Sequence, residues 1–148
     1  MDAIVIRRFR ASDRRGFVGL VRELAKFENL KGPGRSAAAR LVSDIGRRIE
    51  VLMGIADDRP VAYAIYFYTY SSFLARPTLY LEDLFVLPTF RRRGMASRMI
   101  RWLKREARGR KCGRMEWMVL DWNRKAQKTY RRLGARQMKE WLPYRVAL

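Results

Sequence analysis

Any chemistry in this 148-residue chain proceeds without histidine. That excludes a histidine general base, a Ser-His-Asp or Cys-His pair and a histidine-based metal site, and no metal centre is expected. Proton transfer falls to Asp, Glu, Tyr, Lys, Cys, a terminus or water. Among the acids, Glu82 and Asp83 stand out because they interrupt an apolar run, Tyr80-Leu81-Glu82-Asp83-Leu84-Phe85-Val86. Adjacent side chains of a strand point to opposite faces. A buried carboxylate is costly unless it is paired, so each of the two needs a partner, either an arginine of the same domain or a cationic ligand.

A second group of residues suits an anion. The turn Arg91-Arg92-Arg93-Gly94-Met95-Ala96-Ser97 follows that strand and opens a helix. Free N–H groups and the positive end of the helix dipole favour negative charge there, and Gly94 and Ala96 let a phosphate approach the backbone. Taken alone, a glycine among arginines also describes a solvated basic loop. Further on, Asn123, Ala126 and Tyr130 share one helix face at spacings of three and four, with Asn123 placed to cap the helix. Cys112 is the single cysteine, has neither histidine nor a second thiol beside it, and reads as structural or incidental.

Hydrophobic periodicity supplies the elements that must carry these residues. Strands are expected at residues 3–9, 51–56, 61–70, 78–86, 115–120 and 141–146. Ser12 or Asp13 is placed to cap a first helix whose inner face holds Phe17, Leu20, Val21, Leu24 and Phe27. Ser36 is placed to open a second, with Leu41, Val42, Ile45 and Ile49 inward. The helix over residues 95–108 buries Met95, Met99, Ile100, Leu103 and Ala107. A short helix over 124–133 stops at Gly134. The order β-α-α-β-β-β-α-β-α-β implies an α/β (α+β) fold, a single domain over 1–148 around one mixed sheet.

These motifs resemble a known family. Arg-x-x-Gly-x-Ala at the strand-to-helix junction is similar to the acetyl-CoA signature of the GNAT N-acetyltransferases, and so is the later block of Asn123, Ala126, Tyr130 and Leu133-Gly134-Ala135. Glu23 to Glu28, Phe67-Tyr68-Thr69-Tyr70 and the Tyr80 to Val86 block resemble the diamine acetyltransferases, which act on spermidine, spermine or thialysine. The resemblance implies a mostly antiparallel central sheet flanked by helices, and transfer of an acetyl group from acetyl-CoA to a small-molecule primary amine. It implies that the backbone of Leu84, Phe85 and Val86 binds the pantetheine arm, that Arg91 to Ser97 hold the pyrophosphate, and that Asn123, Ala126 and Tyr130 contact the cosubstrate. Tyr130 is the implied general acid for the departing thiolate. Glu82 lines the acceptor cleft and moves a proton from the ammonium through water, with Glu28 and Asp83 as further acceptor-binding acids. Glu140 lies near another such position. A homodimer is also implied.

Charge complicates the acceptor. Thirty-three Lys and Arg against 14 Asp and Glu give +19, whereas diamine acetyltransferases tend to be acidic. A field of that size attracts polyanions. The stripe Arg98, Arg101, Arg105, Arg108 and the cluster Arg124, Lys125, Lys128, Arg131, Arg132 are each a solvated face or a contact surface for nucleic-acid phosphates. The alternative reading is therefore a GNAT-fold protein acting on, or docked to, a nucleic-acid or ribonucleoprotein partner. No apolar run is long enough to span a bilayer, no signal peptide is read, and a reducing, cytoplasmic setting is expected.

Overall fold

The computed structural model describes residues 3–148. The chain divides into two compact units, one running to Met118 and the other Val119–Leu148. In the first unit lie β1 (Ile4–Arg8), α1 (Arg14–Phe27), α2 (Arg35–Ser43), β2 (Glu50–Ala56), β3 (Arg59–Ser71), β4 (Arg76–Val86), α3 (Met95–Gly109) and β5 (Arg114–Trp117). The strands form one sheet in sequence order. Pairing is antiparallel from β1 through β4 and parallel between β4 and β5. This is the mixed, mostly antiparallel sheet with flanking helices that the sequence led us to expect.

The two sheet faces are distinct. On one, Phe17 and Leu20 of α1 pack on Val51, Met53, Ile55, Tyr63, Ile65 and Phe85. On the other, α3 buries the five apolar residues of its predicted stripe. There Gly54 is needed for close approach: a Cβ would sit 2.9 Å from the Ala62 Cβ and 3.1 Å from the Met95 sulfur. Trp102 of α3 meets the Tyr66 ring edge-on at 6.3 Å.

Register breaks once along β4. Ile65 pairs with Asp83 and the next residue, Tyr66, pairs with Leu81, so Glu82 is the extra residue of a β-bulge. The bulge corrects the expectation of simple alternation at Glu82 and Asp83. It resets the period, so that Leu84 and Val86 share a face with Leu79 and Leu81, which strict alternation forbids.

In the second unit α4 (Arg124–Arg132) is the one regular element. The strand expected at residues 141–146 does not form. Pro143 has no N–H to donate, the unit holds no strand to pair with among its described residues, and Trp141, Leu142, Tyr144 and Val146 are exposed. β5 is likewise shorter than expected, ending at Trp117.

The helix caps also differ from expectation. Gly34, not Ser36, precedes α2. Asp13 makes no side-chain cap to α1. Its carboxylate instead accepts from the Arg7 guanidinium at 2.7 and 3.0 Å and from the Arg10 N–H at 2.7 Å. Burial alone would raise the Asp13 carboxyl, but Arg7 and the Arg10 N–H outweigh it and hold it below the usual range. Replacing Asp13 by Asn is expected to destabilise the fold by about 1.5–3 kcal/mol, read as a lowered urea midpoint. Because the native carboxyl is depressed, its contribution is complete above the unfolded value of about 3.9 and is lost as pH falls through the native one. The wild-type advantage over D13N should therefore shrink in that acid range.

Candidate active site

The bulge brings together the acids that the sequence singled out. The Tyr63 hydroxyl donates to Asp83 Oδ2 at 2.9 Å, from the neighbouring strand. Burial is the main force on Asp83. The Tyr63 hydrogen bond opposes it, Glu82 and Glu28 add to it, and the carboxyl is pushed up to about 6. Glu28 caps the C-terminal end of α1, and burial raises its carboxyl too. Glu82 is exposed. Tyr63 is fully buried, and its phenol is raised by burial and then by Asp83, so it stays a donor throughout the accessible pH range. None of Glu28, Glu82 and Asp83 forms an ion pair among the described residues, so the internal arginine partner weighed for Glu82 and Asp83 is not what the fold supplies.

Beside this cluster the sheet is open. β5 pairs with Thr78 to Leu81 only, so residues 83–86 of β4 have a strand neighbour on the β3 side alone among the described residues of this unit. Backbone N–H and C=O groups on such an edge can pair with an extended ligand. The chain then turns into α3, whose cap residue Gly94 is left-handed with φ +75°. No side chain caps this helix, and the first amide bonded back into it is that of Arg98, to Gly94. The N–H groups of Met95, Ala96 and Ser97 thus start the helix without an intrahelical partner. Arg92 and Arg93 are exposed. Arg91 turns back: its Nε donates to the Val86 carbonyl at 2.9 Å, and its guanidinium lies over the Phe27 and Phe85 rings at 4.8 and 5.6 Å. An edge with free polar groups followed by an uncapped, arginine-rich helix start fits a ligand with an amide-bearing arm and a pyrophosphate.

In the second unit Asn123 caps α4, its Oδ1 accepting from the Ala126 N–H at 3.3 Å. Asn123, Ala126 and Tyr130 are half-buried, while Arg124, Lys125, Lys128, Arg131 and Arg132 are exposed. Of the predicted basic stripe on α3, all four arginines are exposed, and Arg98 donates to the Ile4 carbonyl at 3.3 Å. Cys112 is half-buried, and burial raises its thiol. A surface groove of about 420 Å³ lies between α1 and α2, lined by Arg14, Val18, Ala38, Ala39, Val42 and Ser43, and contains none of the groups above.

Sequence reasoning missed Tyr63 and the turned-back Arg91. The available signal for Tyr63 was a lone phenol among small apolar residues, Val61-Ala62-Tyr63-Ala64-Ile65. A buried phenol needs a partner for its O–H.

Comparison with known proteins identifies the class to which this fold belongs. Residues 22–135 match the model of the acetyltransferase (GNAT) family. A thialysine N-epsilon-acetyltransferase of Mus musculus is 32% identical over 98% of this chain and 93% of its own. A spermidine/spermine N(1)-acetyltransferase-like protein of Homo sapiens is 30% identical over 91% of this chain and 21% of its own. An aminoglycoside N-acetyltransferase solved in complex with CoA superposes with a TM-score of 0.84 at 23% identity, over all of this chain and 97% of that one. The chain belongs to the GNAT acetyltransferase family. It is an acetyl-CoA-dependent N-acetyltransferase.

Charge coupling within the acidic cluster is directly measurable. Carboxyl-carbon NMR should give Asp83 a midpoint near 6. Since Glu28 and Glu82 raise it, the Glu28→Gln and Glu82→Gln variants should each lower that midpoint.

Proposed function

We propose that the acceptor is a small diamine, polyamine or lysine-like amine, bound as its ammonium by Glu28, Glu82 and Asp83. The observation that carries this reading is that none of those three carboxylates forms an ion pair among the described residues of a chain of +19. Carboxylates left without an arginine where arginine is abundant are suited to a cation brought by a ligand. The relatives named for thialysine and for spermidine or spermine acetylation support the same class.

In this reading the free edge of Leu84, Phe85 and Val86 takes the pantetheine arm as an added strand. Arg92, Arg93, Gly94 and the amides of Met95, Ala96 and Ser97 take the pyrophosphate. Arg91 serves instead to close the end of β4. Asn123 and Ala126 add contacts from α4, and Tyr130 protonates the departing sulfur, a phenol of pKa about 10 serving a thiolate of about 8.5. Acetyl-CoA supplies the acetyl group as an activated thioester. Both units together form one acetyltransferase domain, which works as a homodimer. The exposed arginines are read as solvated, and no observation favours the nucleic-acid alternative.

Two outcomes test this. With acetyl-CoA and a panel of amines at moderate salt, diamines and lysine-like amines should turn over best. Glu28→Gln should raise KM for a diamine about tenfold, about 1.4 kcal/mol, and leave that of a monoamine nearly unchanged. Equal effects on both would remove Glu28 from the acceptor site. On the donor side, Gly94→Glu puts a like charge into the phosphate space. Calorimetry on the folded variant should show acetyl-CoA binding weakened at least about tenfold, and unchanged affinity would move the pyrophosphate elsewhere.

A further inference from the structure

We propose that Asp83 is the group that takes the proton from the bound ammonium, and that Tyr63 is the positioning residue that holds its carboxylate in place for that step. The inference rests on the amine-acetylating reading above and assigns the base to Asp83 rather than to Glu82.

Geometry separates the two acids. Glu82 is the unpaired residue of the bulge and is solvent-exposed. Asp83 is in register with Ile65, faces the core side of the sheet, and is fixed by a 2.9 Å hydrogen bond from a fully buried phenol. It opens the stretch of β4 whose other edge carries no strand, so the only fixed carboxylate of the cluster begins the segment where the donor arm is placed. The bond uses Oδ2 and locks the carboxylate rotamer.

The surroundings also raise the Asp83 carboxyl. The charged and titratable groups acting on it are Glu28 from the end of α1, Glu82 on its own strand and Tyr63 from β3, with no cation among them. Arg91, after β4, is engaged with Val86 and with the rings of Phe27 and Phe85. A carboxylate near 6 narrows the gap to an alkylammonium of about 10.4 by roughly two units relative to a free aspartate. The balance of the step is simple. The ammonium nitrogen loses one proton to Asp83, and its freed electron pair forms the C–N bond to the acetyl carbon. The C–S bond breaks, the second proton that the nitrogen sheds as the amide forms is balanced by the one the sulfur takes, and Asp83 later returns its own to solvent, for a net release of one proton per turnover.

Tyr63 and Glu28 act on Asp83 with opposite sign, and that sets the experiment. The base must be ionised, so kcat/KM for a diamine should fall as pH drops through about 6. Tyr63→Phe keeps the ring and deletes the bond that favours the charged form, so this limb should move up by about one unit. Glu28→Gln removes a like charge, so the limb should move down. Asp83→Asn should abolish the limb and lower kcat by about 10²-fold or more, while acetyl-CoA binding by calorimetry is unchanged. A merely structural Tyr63 would lower activity equally at every pH and overturn its positioning role. A limb that survives in D83N and disappears in Glu82→Gln would overturn the base assignment in favour of Glu82. Should Y63F fail to fold by circular dichroism, the D83N, E28Q and E82Q profiles still decide the base. A wild-type enzyme that acetylates no amine of the panel would instead refute the functional reading beneath it.

Discussion

One extra residue in β4 governs the arrangement of this site. Because Glu82 has no partner on β3, the strand on either side of it is half a period out of phase. Without the bulge, the apolar residues at 84 and 86 and those at 79 and 81 would point to opposite faces, and α3 would lose part of the surface it covers. With it, Leu79, Leu81 and Val86 are all buried, and an acid stands at the break where no core has to accept it. The parallel ladder to β5 ends at Leu81, one residue before the bulge. A single irregularity thus frees a backbone edge and turns a carboxylate toward Tyr63.

The electrostatics work on two length scales. Over distances beyond about 8–10 Å in physiological salt, individual surface charges are screened, and the excess of arginine acts mainly on polyanions close to the surface. CoA is such an anion, so the basic surface and the donor are compatible. At contact distance the local sign is reversed by Glu28, Glu82 and Asp83, which carry no ion pairs among the described residues, and the first two raise the Asp83 carboxyl. Burial makes the charged forms of Glu28 and Asp83 costly, and a cation would relieve that cost. A protein of +19 can therefore hold a cation, provided that the cation meets this cluster rather than the average field.

Much of this was legible in the sequence, and the exceptions have physical causes. The α3 stripe of Met95, Met99, Ile100, Leu103 and Ala107 is read correctly because a 3.6-residue period is a local property. The acids at 82 and 83 are visible as a break in an apolar run. The bulge between them is not, because register depends on which residues of β3 lie opposite. Tyr63 escaped notice for the same reason: its partner lies 20 residues away and is defined by pairing alone. Asp13 looked like a helix cap, but a capping acid and an ion-pairing acid have the same local pattern, and the choice was made by Arg7 on β1. Residues 141–146 have the composition of a strand, yet a strand exists only with a partner, and Pro143 withholds one donor from any ladder.

The turn into α3 shows how backbone conformation, rather than side-chain charge, shapes the donor side. Arg92 is left-handed at φ +63° and Gly94 at φ +75°. For Gly94 this conformation costs nothing, and a Cβ there would meet no atom within 4 Å, so the glycine is required by its φ and not by crowding. For Arg92 the same region is strained by about 1–2 kcal/mol. Nothing about an arginine's charge requires that geometry, since a right-handed or extended residue would carry the guanidinium equally well. What left-handed residues at such a turn can do is bring successive N–H groups to one side, which suits the pyrophosphate seat proposed at the amides of Met95, Ala96 and Ser97. On that proposal the strain at Arg92 serves to aim its neighbouring amides, and the arginines add long-range attraction.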